Sequence, residues 1–516
     1  MSEAPMPDGR HGADSSGTRR ARRRRRWLLW VAGLVWSAVA LTLALHVLGR
    51  AVDDVFITYR YADNLARGRG LVFNPGERVF GTTAPGMALL LGALAAVSRL
   101  PVNDLGTLVT GATLVGIALL LLRAGEAGGR TLEALVAGCL LVTASGFWVL
   151  QGSETPLALL LLLTGAALAR RAPGLAGASA GLAVWLRPEA ALGAALLVLL
   201  RWREARRPPW RLALVAGAVV AAGILLAWLW FGDIVPATLR AKRLQGSVYP
   251  PIRESLGAGF WRAALINAAS YWTGLATWPL ICGGAAGLLL LARHGGRVGR
   301  LLGLYALGLA LAYPLLGVAP APWYVLPVAV ALIAGYAFAA GAVARAVAQG
   351  WPGWPGRGLG ALALLICVLP VAAAIAPLSP RKWEAIADAD RFEAYRETGE
   401  WLRASTPPEA EISYLEVGTI AYFSDRPVQD LLGLVSPRSL PFLEQRDLLG
   451  AFLARPTEIV LRTEGLSGFL DLSQYRWFRR SYAEAARFRH PPWPDVVVYR
   501  RLPGSRVPPP RPPIKR

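Results

Sequence analysis

Residues 19–61 read RRARRRRRWLLWVAGLVWSAVALTLALHVLGRAVDDVFITYRY, and their order decides the fold. Arg22 to Arg26 close a basic run, and Trp27 to Gly49 then carry no Asp, Glu, Lys or Arg. Basic residues ahead of an uncharged stretch of membrane length mark a first spanning helix with its start in the cytoplasm. Asp53 and Asp54 follow at the far mouth of that helix. Carboxylates beside hydrocarbon are expensive to place, so the pair points to acid–base or cation chemistry at a membrane surface.

The rest of the 516-residue chain extends this pattern, with 54% hydrophobic and 17% charged residues. A formal net charge of +22 would suit a nucleic-acid partner, but the basic residues sit in short clusters between apolar runs. Those clusters are Arg19 to Arg26, Arg170-Arg171, Arg201 to Arg211, Arg293 to Arg300 and Arg345 to Arg357. They follow the positive-inside pattern, and no recognition motif accompanies them, which argues against nucleic acid as a partner. The first apolar run is too long for a cleaved signal and stays as an anchor. Cys139, Cys282 and Cys367 all fall in apolar runs, where packing is their role. His11, His46, His294 and His490 are too scattered for a metal site.

Segments near 27–49, 105–123, 131–150, 155–169, 174–187, 189–201, 211–231, 274–292, 300–318, 323–345 and 358–377 read as spanning helices. With the basic clusters in the cytoplasm, Asp53-Asp54, Gly152-Ser153-Glu154, Arg187-Pro188-Glu189, 232–273 and Gly317 to Pro322 fall on the outer side. That topology closes only if the apolar stretch 84–100 enters and returns or lies in the interface. From about residue 380 the apolar runs shorten, and β-like stretches occur at Glu411 to Leu415, Glu458 to Arg462 and Asp495 to Arg501. The chain therefore divides into a disordered basic cytoplasmic tail (1–26), a transmembrane part (27–379) with a first external loop (50–84), an extracytoplasmic α/β domain (380–502) and a Pro/Arg-rich disordered tail (503–516). The fold class is mainly α, a polytopic membrane bundle of about 11–13 spanning helices with a C-terminal extracytoplasmic α/β domain.

A helix over 52–66 would place Asp53, Ile57, Arg60 and Asn64 on one face. Adjacent side chains point about 100° apart, so Asp53 and Asp54 cannot share one task. One would face a cavity as a base while the other binds Arg60 or caps the helix; a cap plus a solvated acid is the plain alternative. Two carboxylates also suit Mg²⁺ or Mn²⁺, though nothing in the spacing requires an ion. Arg240, Lys242 and Arg243 follow the 211–231 helix at its outer end, where a lipid phosphate would lie. Arg187 and Glu189 flank Pro188 between two apolar runs, and Glu154 interrupts another. Charges there must pair with one another or with a ligand.

The stretch DDVFITYRYADNLARGRGLVFNPGERVFGTTAP (53–85) resembles the first external loop of integral-membrane GT-C glycosyltransferases. It is nearest the bacterial branch of terminal arabinofuranosyltransferases. Gly152 to Leu157, Leu186 to Glu189, Gly232 to Lys242, Trp323 to Pro327 and Gly418 to Leu434 continue the likeness in order along the chain. The resemblance implies transfer of a sugar from a polyprenyl-phosphate donor to an extracytoplasmic glycan or lipid acceptor, in the bacterial cytoplasmic membrane. It also implies a first-loop acid as general base, a role that falls on Asp53 or Asp54, with Asp53 preferred. Arg60, Glu154, Arg187, Glu189, Arg240, Lys242 and Tyr324 are the donor phosphate and sugar contacts that go with it. Where many relatives carry Arg before this Tyr, the chain has Trp323, a ring suited to a sugar face or the interfacial belt. A transporter of lipid-linked saccharide is the alternative, since buried Arg and Glu also suit a polar pathway. The gathering of the charges at outer segment ends, with no inverted repeat, favours the enzyme.

Overall fold

The computed structural model describes residues 13–248, 250–272, 277–351, 353–377, 383–384, 391–464 and 470–509. The first twelve residues of the expected N-terminal tail and the last seven of the C-terminal one lie outside them. α1 (Ala13–His46) leads to α2 (Asp53–Ala66), a loop over 67–84, and α3 (Pro85–Ser98). Ala13 to Arg26, expected as part of the unstructured tail, form the first turns of α1. α4 (Val102–Ala127), α5 (Thr131–Thr143), α6 (Ser145–Val149) and α7 (Thr155–Leu168) come next. α8 (Pro173–Leu186), α9 (Ala190–Ala205) and α10 (Trp210–Phe231) complete the first half.

The outer segment after α10, read as a loop, folds as α11 (Ala237–Val248), α12 (Pro250–Glu254) and α13 (Phe260–Trp272). α14 (Thr277–His294), α15 (Gly296–Ala312), α16 (Leu326–Gln349) and α17 (Trp354–Ile375) follow. Among the described residues six helices are long and apolar enough to cross a membrane: Arg26–His46, Val102–Ala127, Trp210–Phe231, Gly296–Leu316, Pro322–Gln349 and Trp354–Ile375. α3, α5, α7 and α8 are apolar but shorter. The run 131–150 shows why fewer helices reach full length than the apolar segments suggest. Ala144 leaves the helical region at φ −68°, ψ 115°, and breaks the run into α5 and α6.

Close backbone approach packs the bundle where side chains are small. On α14, a Cβ added at Gly287 would lie 1.8 Å from the Gly335 carbonyl of α16. Gly287→Ala should therefore force the two helices apart and cost about 1–3 kcal/mol, visible as a lower melting temperature in detergent.

The C-terminal part holds α18 (Phe392–Ser405), α19 (Thr419–Ser424) and a five-stranded sheet. Its strands are β1 (Ile412–Tyr414), β2 (Val428–Asp430), β3 (Ile459–Thr463), β4 (Tyr482–Phe488) and β5 (Val496–Arg501). The order is β2-β1-β3-β5-β4, with β1 parallel to β2 and β3, and β5 antiparallel to β3 and β4. Val496, Val497 and Val498 fill the buried stretch of β5. The loop after β1 carries the chain directly into α19, and α19 packs on α2. That contact joins the sheet domain to the membrane part beside the two acids.

Candidate functional site

α2 begins at Asp53 after an extended Val52 (φ −70°, ψ 153°). Two acids in a first helical turn suit the unpaired N–H groups there. The helix is enclosed on nearly every side, with Asp53, Val55 to Ala62 and Asn64 all buried. Asp53 faces the sheet domain: its Oδ2 accepts the Gly418 N–H at 3.0 Å and its Oδ1 the Thr419 N–H at 2.7 Å. Arg60 lies two turns further along and donates to the carbonyls of Phe73 (2.8 Å), Arg426 (2.8 Å) and Ala421. The favoured base and one expected phosphate contact are thus both committed to backbone groups.

Asp54 points elsewhere. It lines a small polar pocket of about 40 Å³, together with Thr58, Thr82, Glu154, Arg187, Thr238 and Lys242. Lys242 Nζ donates to Asp54 Oδ2 at 3.1 Å and sits 5.0 Å above the Trp323 ring. Burial pulls the Lys242 ammonium down, but Asp54 and Tyr324 outweigh it and raise its pKa, so the lysine stays charged. Local sequence explains the position of each partner. Pro236 precedes the first turn of α11 and starts the helix that carries Lys242.

The remaining charges form one buried cluster. Arg187 Nη1 donates to Glu154 Oε1 at 2.7 Å, Nε to Glu189 Oε1 at 2.8 Å, and Nη2 to the same Glu189 oxygen. Pro188 disfavours helical backbone at the preceding residue, and Arg187 is extended at φ −146°, ψ 118°. Its side chain therefore leaves α8 toward Glu154. Glu154 follows Gly152, whose φ of 76° is a conformation glycine adopts without strain. Tyr313 donates to Glu189 at 3.1 Å and stacks on Tyr324 at 5.0 Å, and Arg187 lies 5.4 Å from the Tyr324 ring centre.

A second cavity of about 790 Å³ meets this pocket. Its walls are mostly apolar, with α10 contributing Ile224 and Trp230 among others and α8 contributing Trp185. Arg187, Lys242, Trp323 and Thr83 line both spaces and form the junction. Arg243 lines the larger cavity and has no ion pair among the described residues.

Of the residues singled out from the sequence, Asp54, Glu154, Arg187, Glu189, Lys242 and Tyr324 come together at this junction. Asp53, Arg60 and Arg240 do not line either space. Arg240 pairs with Asp233 at 3.3 Å, both well exposed. Nor do Asp53 and Asp54 fit a shared Mg²⁺ or Mn²⁺, because Asp53 turns to the Gly418 and Thr419 N–H groups while Asp54 lines a pocket without it and pairs with Lys242. No group of three His, Cys, Asp or Glu suited to a metal occurs among the described residues.

Sequence reasoning missed the hydroxyls of the pocket. Thr58 is one turn after Asp54 on the same helix face, a spacing that was available to find it. Its hydroxyl lies 3.1 Å from that of Thr82. Thr238 donates to the Gly81 carbonyl at 2.5 Å and the Leu434 carbonyl at 3.1 Å, so the loop after β2 backs the pocket. Asp430 shapes that loop by accepting the N–H groups of Leu432 (2.8 Å) and Val435 (2.9 Å). Burial pushes its carboxyl up to about 6, against the pull of the Val435 and Leu432 N–H groups. The folded state thus favours the protonated acid. Its contribution to stability is complete below about pH 4 and lost as pH rises through about 6. A rise from 3.8 to about 6 corresponds to about 3 kcal/mol. Asp430→Asn, which does not titrate, should remove this pH dependence, so that the native chain loses stability relative to the variant as pH rises from 4 to 7, read from melting temperatures across the range.

Residues 384–501 match the family model described as Domain of unknown function (DUF8728). No curated protein matches the chain in sequence. Among solved structures it resembles ArnT from Cupriavidus metallidurans bound to undecaprenyl phosphate, with a TM-score of 0.57 at 14% identity. That likeness covers 93% of this chain and 99% of the other. It also resembles the archaeal oligosaccharyltransferase AglB from Archaeoglobus fulgidus, in complex with an inhibitory peptide and a dolichol-phosphate. There the TM-score is 0.51 at 12% identity, over 86% of this chain and 70% of the other. The chain is an integral membrane protein with the fold of the GT-C enzymes.

Proposed function

We propose that this protein is a membrane glycosyltransferase that moves a sugar from a polyprenyl-phosphate donor to a glycan or lipid acceptor on the extracytoplasmic side. One observation carries the reading: an apolar cavity of about 790 Å³ ends on Lys242 and Arg187, beside the Asp54 carboxylate. Isoprenoid chain suits the apolar walls, and a phosphate suits the cations at their end. The solved relatives with undecaprenyl phosphate and dolichol-phosphate support a lipid phosphate as the ligand class.

The chemistry assigns a role to each group. Asp54 accepts the proton of the acceptor hydroxyl as its oxygen attacks the anomeric carbon. The bond from that carbon to the phosphate oxygen breaks, and the polyprenyl phosphate departs with the electron pair. Lys242, with Arg243 alongside, meets the charge that develops there. Glu154 and Glu189 are both engaged by Arg187, so neither is placed as a second carboxylate nucleophile. The displacement is then a single step and inverts the anomeric centre.

Purified protein should be given defined polyprenyl-phosphate sugars and an acceptor mixture, with the product's anomeric configuration read by NMR. Transfer with inversion is expected. Retention, or flipping of the donor across vesicles without any transfer, would overturn the proposal, and flipping would favour the transporter.

A further inference from the structure

The acid beside the proposed base grips the C-terminal domain. Asp53 is 4% exposed and takes the N–H groups of Gly418 and Thr419, at the start of α19. Arg60, 3% exposed, donates to the carbonyl of Ala421, within α19, and to that of Arg426, beyond its end. The first N–H and last C=O groups of any helix lack partners within it. One face of α2 thus holds the first N–H groups of the six-residue α19 together with a carbonyl inside it and one beyond it. The fit is tight: a Cβ at Gly418 would lie 1.8 Å from the Asp53 carbonyl oxygen. Asn74, in the loop after α2, exchanges two hydrogen bonds with the Val428 backbone, at 2.9 and 3.0 Å.

We propose that Asp53 and Arg60 are positioning residues, through which the C-terminal α/β domain sets the rotation of α2 and so the aim of Asp54. The proposal rests on Asp54 as the base. Adjacent carboxylates on a helix are fixed about 100° apart, so pinning Asp53 to α19 fixes the direction of Asp54 toward Lys242. A rotation of about 20° would carry a side-chain tip, roughly 5–6 Å from the axis, through about 2 Å. Misplacement on that scale is enough to lower a rate about 100-fold. Both anchors are buried and spent on backbone partners, which leaves neither for substrate.

Two variants of the full-length protein test this, one on each side of the contact. Asp53→Asn removes the charge that holds both N–H groups. Gly418→Ala pushes α19 away and touches nothing in the pocket. Arg480→Ala, on an exposed position of the sheet domain, is the control with unchanged activity. Each variant is assayed for kcat and for binding of polyprenyl phosphate alone. The expected result is a fall in kcat of about 10- to 100-fold in both variants, with lipid-phosphate binding kept within about twofold. Full kcat in both would overturn the clamp, as would a matching loss of kcat and binding, which marks a merely structural contact. If Asp54→Asn in the same series keeps full kcat, the base assignment fails instead.

Discussion

Asp54→Asn should lower sugar transfer by about 10²- to 10⁴-fold, the range a general base contributes, while donor still binds. Asparagine keeps the shape of the side chain and an oxygen for the Lys242 ammonium, which lies 3.1 Å from Asp54 Oδ2. What it loses is the capacity to take a proton. Other carboxylates in or beside the pocket cannot substitute, because Arg187 holds Glu154 and Glu189 through three of its N–H groups. Donor binding should stay level or tighten, since Lys242 no longer shares its charge with a carboxylate. Single-turnover transfer and equilibrium binding of polyprenyl phosphate, measured on one preparation, separate the two effects. Full transfer by this variant would remove Asp54 from the chemistry.

The largest effect on stability is expected from Arg187→Met. It strands Glu154 and Glu189, whose side chains are 10% and 16% exposed, with no counter-charge. Breaking a buried ion pair from one side costs about 3–5 kcal/mol, because the remaining charge stays desolvated. Lysine should not restore the loss, since one ammonium cannot reproduce the fork that reaches two carboxylates in different directions. The triple variant with Glu154→Gln and Glu189→Gln should recover most of it, as neutral amides no longer need a cation. Melting temperatures in detergent distinguish these cases. An Arg187→Met protein as stable as the native one would show that the cluster does not hold the fold.

How legible the site was depended on the kind of signal. Arg187, Glu189 and Glu154 interrupt apolar runs, and such charges stand out because the membrane makes them costly. Placement after a spanning helix and a proline marks Arg240, Lys242 and Arg243 alike, and Lys242 stands out among them only through the family resemblance. The choice between Asp53 and Asp54 was not available locally. It turns on N–H groups of residues 418–419, more than 360 positions away, which no helical spacing reports. The surroundings of Arg60 were hidden in the same way, since two of its three carbonyl partners belong to residues 421 and 426.

The fold shows a similar division. Strands β1, β3 and β5 coincide with the β-like stretches because β-branched and aromatic residues gather there, as in ISY, IVLRT and VVVYRR. β4 reads YAEAARF and β2 is three residues long, so neither gives a strand signal, and both form against neighbours already in place. The helices α11 to α13 are not legible in the sequence, since a run with mixed polarity between two apolar helices has no membrane signature.

A cryo-EM structure of the protein with a bound polyprenyl-phosphate sugar tests the placement of donor between Lys242 and Asp54. Isoprenoid density is expected along α8 and α10, with phosphate within hydrogen-bond reach of Lys242 Nζ and the anomeric carbon on the Asp54 side of that phosphate. Phosphate bound away from Lys242, with Asp54 facing no part of the sugar, would contradict it.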